Sequence, residues 1–157
     1  MARITGMIVI ARPVEVVFHC VADQRNEPKY NPRMVRSEKL TDGPIGVGTQ
    51  FGATMTAGRR RTDMVIETTE YDPPKRLASK ATMDMADVAG SVTFDQTSAG
   101  TVMRWSWDVH PRGVARLFSP LVAAIGRRQE RTIWGGLKQY LESVSAPSSA
   151  VDQWLRD

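Results

Sequence analysis

Cysteine and histidine are scarce: this 157-residue chain carries one Cys and two His. A single thiol, Cys20, excludes an internal disulfide, and its apolar helical surroundings read as a buried thiol in a reducing, cytoplasmic setting. The sequence shows no zinc-ligand spacing, no phosphate-cradling glycine loop and no internal repeat, so neither a metal nor a cofactor is expected. No run approaches the roughly 18 apolar residues of a membrane span. The start, MARITGMIVIARP, lacks the long apolar region of a signal peptide, which predicts a soluble, non-secreted protein. An excess of one charge sign is also modest. The net charge of +4 is dispersed, and its densest run, Arg59-Arg60-Arg61, follows Gly58 as a hairpin tip would, which argues against a nucleic-acid partner.

What is present suits one globular domain over residues 1–146, followed by a loosely held tail, 147–157, in which Trp154 and Leu155 are the docking candidates. Ile4 to Ile10 is a β-branched first strand. Pro13 opens a short helix through Phe18 and Val21, and DQRNEPKYNP forms a corner with room for one helical turn between Pro28 and Pro32. Six strands follow in MVRSEKL, TQFGATMTA, TDMVIETTEY, RLASKATM, GSVTFDQ and TVMRWSWDV, joined by short turns that favour an antiparallel meander. Apolar residues at helical spacing, Leu117, Leu121, Ile125, Ile133, Leu137 and Leu141, then predict a helix from Ser119-Pro120 to about Ser145, roughly 38 Å long. They recur among the charged residues Arg127, Arg128, Glu130, Arg131 and Lys138. Gly135-Gly136, costly within a helix, implies a close approach to a neighbour. The fold class is α+β: a curved seven-stranded antiparallel sheet around a long C-terminal helix, with two short helices between the first two strands. One helix cannot fill so wide a twisted sheet, so a hollow is expected.

IVIARPVEVVFHCVAD, KYNPRMVRSEKL, DGPIGVGTQF, TEYDPPKRLA, GTVMRWSW and RRQERTIWGGLKQYLE together resemble the START-related polyketide cyclase/dehydrase and lipid-transport family, SRPBCC, over about residues 4–144. The resemblance implies a helix-grip fold with a ligand cavity between sheet and helices. It serves carriers, sensors and enzymes alike, so it marks the fold more strongly than the function.

Strand alternation puts Met103, Trp105, Trp107 and Val109 on one face and Arg104, Ser106, Asp108 and His110 on the other. With the tryptophan face inward, the candidate ligand-binding residues are Phe18, Tyr30, Met34, Phe51, Met55, Met64, Ile66, Met83, Phe94, Met103, Trp105 and Trp107, joined by Leu121, Ile125 and Arg128 from the helix. Val92 is a further lining candidate, and His19, Thr54 and Gln129 are polar groups able to enter. Ser106, Asp108 and His110 lie in line about 6.6 Å apart, too far for a catalytic triad. These features imply a carrier of a small hydrophobic molecule such as a lipid, polyketide or aromatic metabolite. The alternative is a polyketide cyclase or dehydratase, for which no catalytic residue can be assigned. Whether the chain forms a homodimer is left open.

Overall fold

The computed structural model describes residues 2–144. Seven strands, β1 (Ala2–Ile10), β2 (Met34–Lys39), β3 (Gln50–Ala57), β4 (Arg60–Asp72), β5 (Arg76–Met83), β6 (Ala86–Thr97) and β7 (Gly100–Pro111), form one sheet in the order β1-β7-β6-β5-β4-β3-β2. Every neighbouring pair is antiparallel, so the chain from β2 to β7 is a meander that ends by pairing with β1. The side-chain period of two decides the faces. In β4, Met64, Ile66 and Thr68 are buried while Val65 and Thr69 are exposed.

Helix α1 (Val14–Ala22) begins after Pro13, and a 3-10 helix over Gln24–Lys29 follows, opened by Asp23, whose carboxylate accepts the Arg25 backbone N–H at 3.1 Å. That turn therefore precedes and includes Pro28, instead of lying between Pro28 and Pro32, because the Asp23 side chain caps it early. A second 3-10 helix, Gly113–Phe118, leads into α2 (Ser119–Ser143).

Two anchors fix the C-terminal part of α2. Lys138 donates to the Val9 carbonyl at 2.7 Å, and the Ala11 backbone N–H donates to the Glu142 carboxylate at 2.9 Å. Gly136 explains half of the double glycine. A Cβ there would lie 2.2 Å from the Tyr30 carbonyl oxygen, whereas one on Gly135 would meet nothing within 4 Å. The closed core lies where α1 and this part of α2 cover the sheet, and holds Ile10, Val17, Phe18, Val92, Phe94, Met103, Trp105 and Leu137. Phe18 meets the ring of Phe94 edge-on at 5.2 Å and that of Tyr71 at 5.5 Å. The tail containing Trp154 and Leu155 lies outside the described residues.

Candidate functional site

Toward β3–β5 the helices leave the sheet, and a cavity of about 430 Å³ remains, within the range of small-molecule sites. Its wall is built from inward positions of β3 to β7, with Met55, Met64, Ile66, Met83, Val92 and Trp107 among them. Met34 and Tyr30 close it from the corner. The helix contributes Ile125, Gly126, Gln129, Glu130, Ile133 and Trp134, spaced as one helical face. The first 3-10 helix and its C-cap contribute Gln24, Glu27 and Tyr30, three residues apart as three residues per turn require. Tyr30, Val92 and Trp134 are buried, while Arg33, Ala57 and Ile125 are exposed, so the opening lies on the latter side. There a more polar recess of about 450 Å³ adjoins it, sharing Arg33, Met55, Ile125, Gln129 and Ile133 and adding Arg128.

Of the residues expected to bind ligand, Tyr30, Met34, Met55, Met64, Ile66, Met83, Trp107 and Ile125 line the cavity, and Val92 and Gln129 join them. Arg128 reaches only the adjoining recess. Phe18, Phe94, Met103 and Trp105 do not line it, because α1 and the end of α2 pack onto them and leave no void. Phe51 is likewise sealed, in a second cluster with Met34, Ala53, Met64 and Ile66. Leu121 points to solvent at 58% exposure, because the face of the helix turned to the sheet there is that of Ala123, which packs on Ala2, Ile4 and Val109. His19 lines neither space. Its ring lies edge-on to Phe18, and burial lowers its pKa. Thr54 faces outward, donating to Asp63 at 2.7 Å and accepting from Arg36 at 3.2 Å. Asp108 pairs with Arg3 at 2.9 Å on the outer face, and His110 is exposed.

The polar chemistry inside the cavity comes from Glu130, a residue outside the set expected to bind ligand. Glu130 lies on the apolar stripe, one turn before Trp134, and its Oε2 accepts the indole N–H of Trp107 at 3.0 Å and that of Trp134 at 2.6 Å. Burial pushes its carboxyl up to about 7, helped by the charge of Glu27, against the lowering effect of the two indole bonds. Burial also raises the Glu27 carboxyl, opposed by the Asn31 side-chain amide, which donates to it at 2.8 Å. The Tyr30 phenol is held well above its ordinary range by burial, with both carboxylates adding to the effect, and its ring stacks on Trp134 at 6.4 Å. Periodicity carried a signal for Glu130: it stands three residues before Ile133 and seven before Leu137, on the buried face. Cys20 is inert by comparison, a buried thiol pushed up to about 12.

A curved antiparallel sheet gripping a terminal helix around a half-open apolar cavity defines a helix-grip ligand-binding protein. The chain belongs to the polyketide cyclase/dehydrase and lipid-transport family, whose model matches residues 1–142. Solved structures share the fold at low identity. A START superfamily protein from Mycobacterium smegmatis superposes with a TM-score of 0.81 at 12% identity, over 92% of this chain and 100% of the other. The ZhuI aromatase/cyclase from Streptomyces sp. R1128 gives 0.79 at 13% identity, over 93% and 96%. TTHA0849 from Thermus thermophilus gives 0.79 at 17%, over 92% and 99%. No curated protein matches the sequence. Among the described residues, no helix is long and apolar enough to cross a membrane.

Proposed function

We propose that this protein binds and carries a small hydrophobic molecule, a lipid, polyketide or aromatic metabolite, in the cavity between the sheet and α2. The observation that carries this reading is the 430 Å³ void itself, walled by Met34, Met55, Met64, Met83, Ile66 and Trp107 where a closed core would be filled. Methionine suits such a wall because its unbranched, polarisable side chain adapts to the shape it touches. Native mass spectrometry of the purified protein tests it directly. A co-purified small molecule, or micromolar binding of a fatty acid or hydrophobic dye with a change in tryptophan emission, is expected. A folded protein that binds none of these reduces the void to a packing defect.

Catalysis is the second reading, and Glu27, Glu130 and Tyr30 favour it, since three proton-exchanging groups share one apolar space. A neutral Glu130 is able to donate a proton to a ligand carbonyl, and an ionised Glu27 to take one from an acidic carbon. The ZhuI aromatase/cyclase shares the fold, which makes poly-β-ketone substrates the class to assay. Turnover that falls 100-fold or more in Glu130→Gln, with ligand affinity retained, would establish an enzyme.

A further inference from the structure

Among the described residues, the charged side chains that line the cavity are Glu27, Arg33 and Glu130. Arg33 is exposed at the opening, so water screens it, while both carboxyls sit among apolar side chains. Among the described residues neither Glu27 nor Glu130 forms an ion pair. An apolar cavity that holds two carboxyls and no inward cation is matched by a ligand that brings the cation with it.

The arrangement around them supports this. Both indole donors go to Oε2 of Glu130, which fixes the carboxyl, and among the described residues no donor is bonded to Oε1. The Tyr30 side chain, nine-tenths buried and lining the same cavity, has a hydroxyl with no hydrogen-bond partner among the described residues. It lies close enough to both carboxylates to feel their charge. A primary ammonium has three N–H donors and no acceptor, which fits two carboxylates and a phenol oxygen. The rings of Tyr30, Trp107 and Trp134 line the same space and add cation–π attraction where a ring face is presented.

We propose that the cavity selects amphiphiles bearing a protonated amine, which lodges between Glu27 and Glu130 while the apolar body lies against Met64, Ile66 and Met83. This rests on the carrier reading above and names the class of ligand. The ionisable groups facing the amine are Glu27 and Tyr30 from the corner and Glu130 from α2, with Arg33 at the opening, and the strands contribute none to the lining.

Decylamine, 1-decanol and decanoate, matched in chain length and differing in charge, are titrated against the full chain at pH 7.5 by calorimetry and tryptophan fluorescence. The amine is expected to bind roughly tenfold or more tighter than the alcohol. Glu130→Gln and Glu27→Gln should each bring the ratio of amine to decanol affinity most of the way to one, with circular dichroism confirming that both variants fold. Decanoate as the tightest ligand, its head between Arg33 and Arg128, overturns the proposal. So does an amine preference that survives both substitutions. Binding of the alcohol without an amine preference overturns this inference and leaves the carrier reading standing, whereas no binding of any probe overturns both.

Discussion

Trp105 and Trp107 stand two residues apart on one face of β7, yet they belong to different interiors. Trp105, 5% exposed, lies in the closed half of the molecule against Gly6 of β1, where a Cβ would come within 2.4 Å of the indole, and its N–H has no hydrogen-bond partner among the described residues. Trp107 lies at the edge of the open half and gives its N–H to Glu130. Alternation along a strand therefore decides which way a side chain points but not whether it meets a neighbour or a void. That second question is settled by where the helices sit. Around Trp105, α1 and the end of α2 lie on the sheet. Beyond Trp107 the same kind of apolar face on β3–β5 has none over it, and methionine lines the gap.

The contrast is sharpest in stability. Phe18 has no exposed surface and meets the rings of Phe94, Tyr71 and His19, so Phe18→Ala is expected to cost about 3–5 kcal/mol, because the emptied space cannot collapse. Met64→Ala enlarges a void that already exists. It forfeits contacts on the wall side alone, which places it at or below about 2 kcal/mol, the low end for such truncations. Urea denaturation of both variants, with hydrophobic-dye binding measured alongside, should show Phe18→Ala unstable with affinity kept in its folded fraction, and Met64→Ala stable with altered affinity. Equal losses would mean the cavity wall is packed as tightly as the core.

A second difference is the pH response of the cavity carboxyls. The Glu130 carboxyl is raised from its ordinary value to about 7 in the folded protein, so between about 4.3 and about 7 the folded state holds a proton that the unfolded chain releases. Stability is then greatest below that window and falls as pH rises through it, by about 4 kcal/mol at most, less where cavity water solvates the anion. Glu27, also raised by burial, adds in the same direction. His19, lowered by burial, acts in the opposite one, gaining stability as pH rises. Comparison with a variant isolates Glu130. Glu130→Gln keeps an acceptor for the two indoles and cannot ionise, so it should raise the melting temperature at pH 8 and leave it nearly unchanged at pH 5. An equal shift at both pH values would remove Glu130 from the cause.

Much of the architecture was legible because it follows from short-range rules. Turn residues and period-two alternation placed all seven strands within a few residues, and helical spacing placed α2. The site was legible only in part. Met34, Met55, Met64, Ile66 and Met83 were identified because an inward phase suffices to put them on the wall. Phe18, Phe51, Phe94, Met103 and Trp105 share that inward phase but lie where the interior is filled, which no strand pattern encodes. Glu130 was not singled out because a glutamate among arginines carries no mark of burial, although its phase on the helix matched Ile133 and Leu137. Glu27 and Gln24 were hidden by the helix type, since a period of three in six residues is too short to stand out from a proline-rich corner.

The smallest effects lie in the helix that divides the two halves, where adjacent glycines do different things. Gly136 packs against the Tyr30 main chain, so a methyl group there meets backbone that cannot rotate away. Gly136→Ala must push α2 off the corner, at about 1–3 kcal/mol, and it moves Tyr30 and Trp134 at the inner wall of the cavity. At Gly135 nothing lies within 4 Å of the added methyl, and alanine loses less backbone entropy than glycine on entering a helix, so Gly135→Ala should stabilise by up to about 1 kcal/mol. Thermal melts of the two single variants therefore separate in opposite directions from the parent. The ligand response separates them further: Gly135→Ala keeps parental affinity and Gly136→Ala weakens it, because only the second carries its strain into the cavity wall. Two destabilised variants would show that α2 lies against a neighbour along both positions, and that the grip of the helix, not the single contact at Tyr30, sets the width of the cavity.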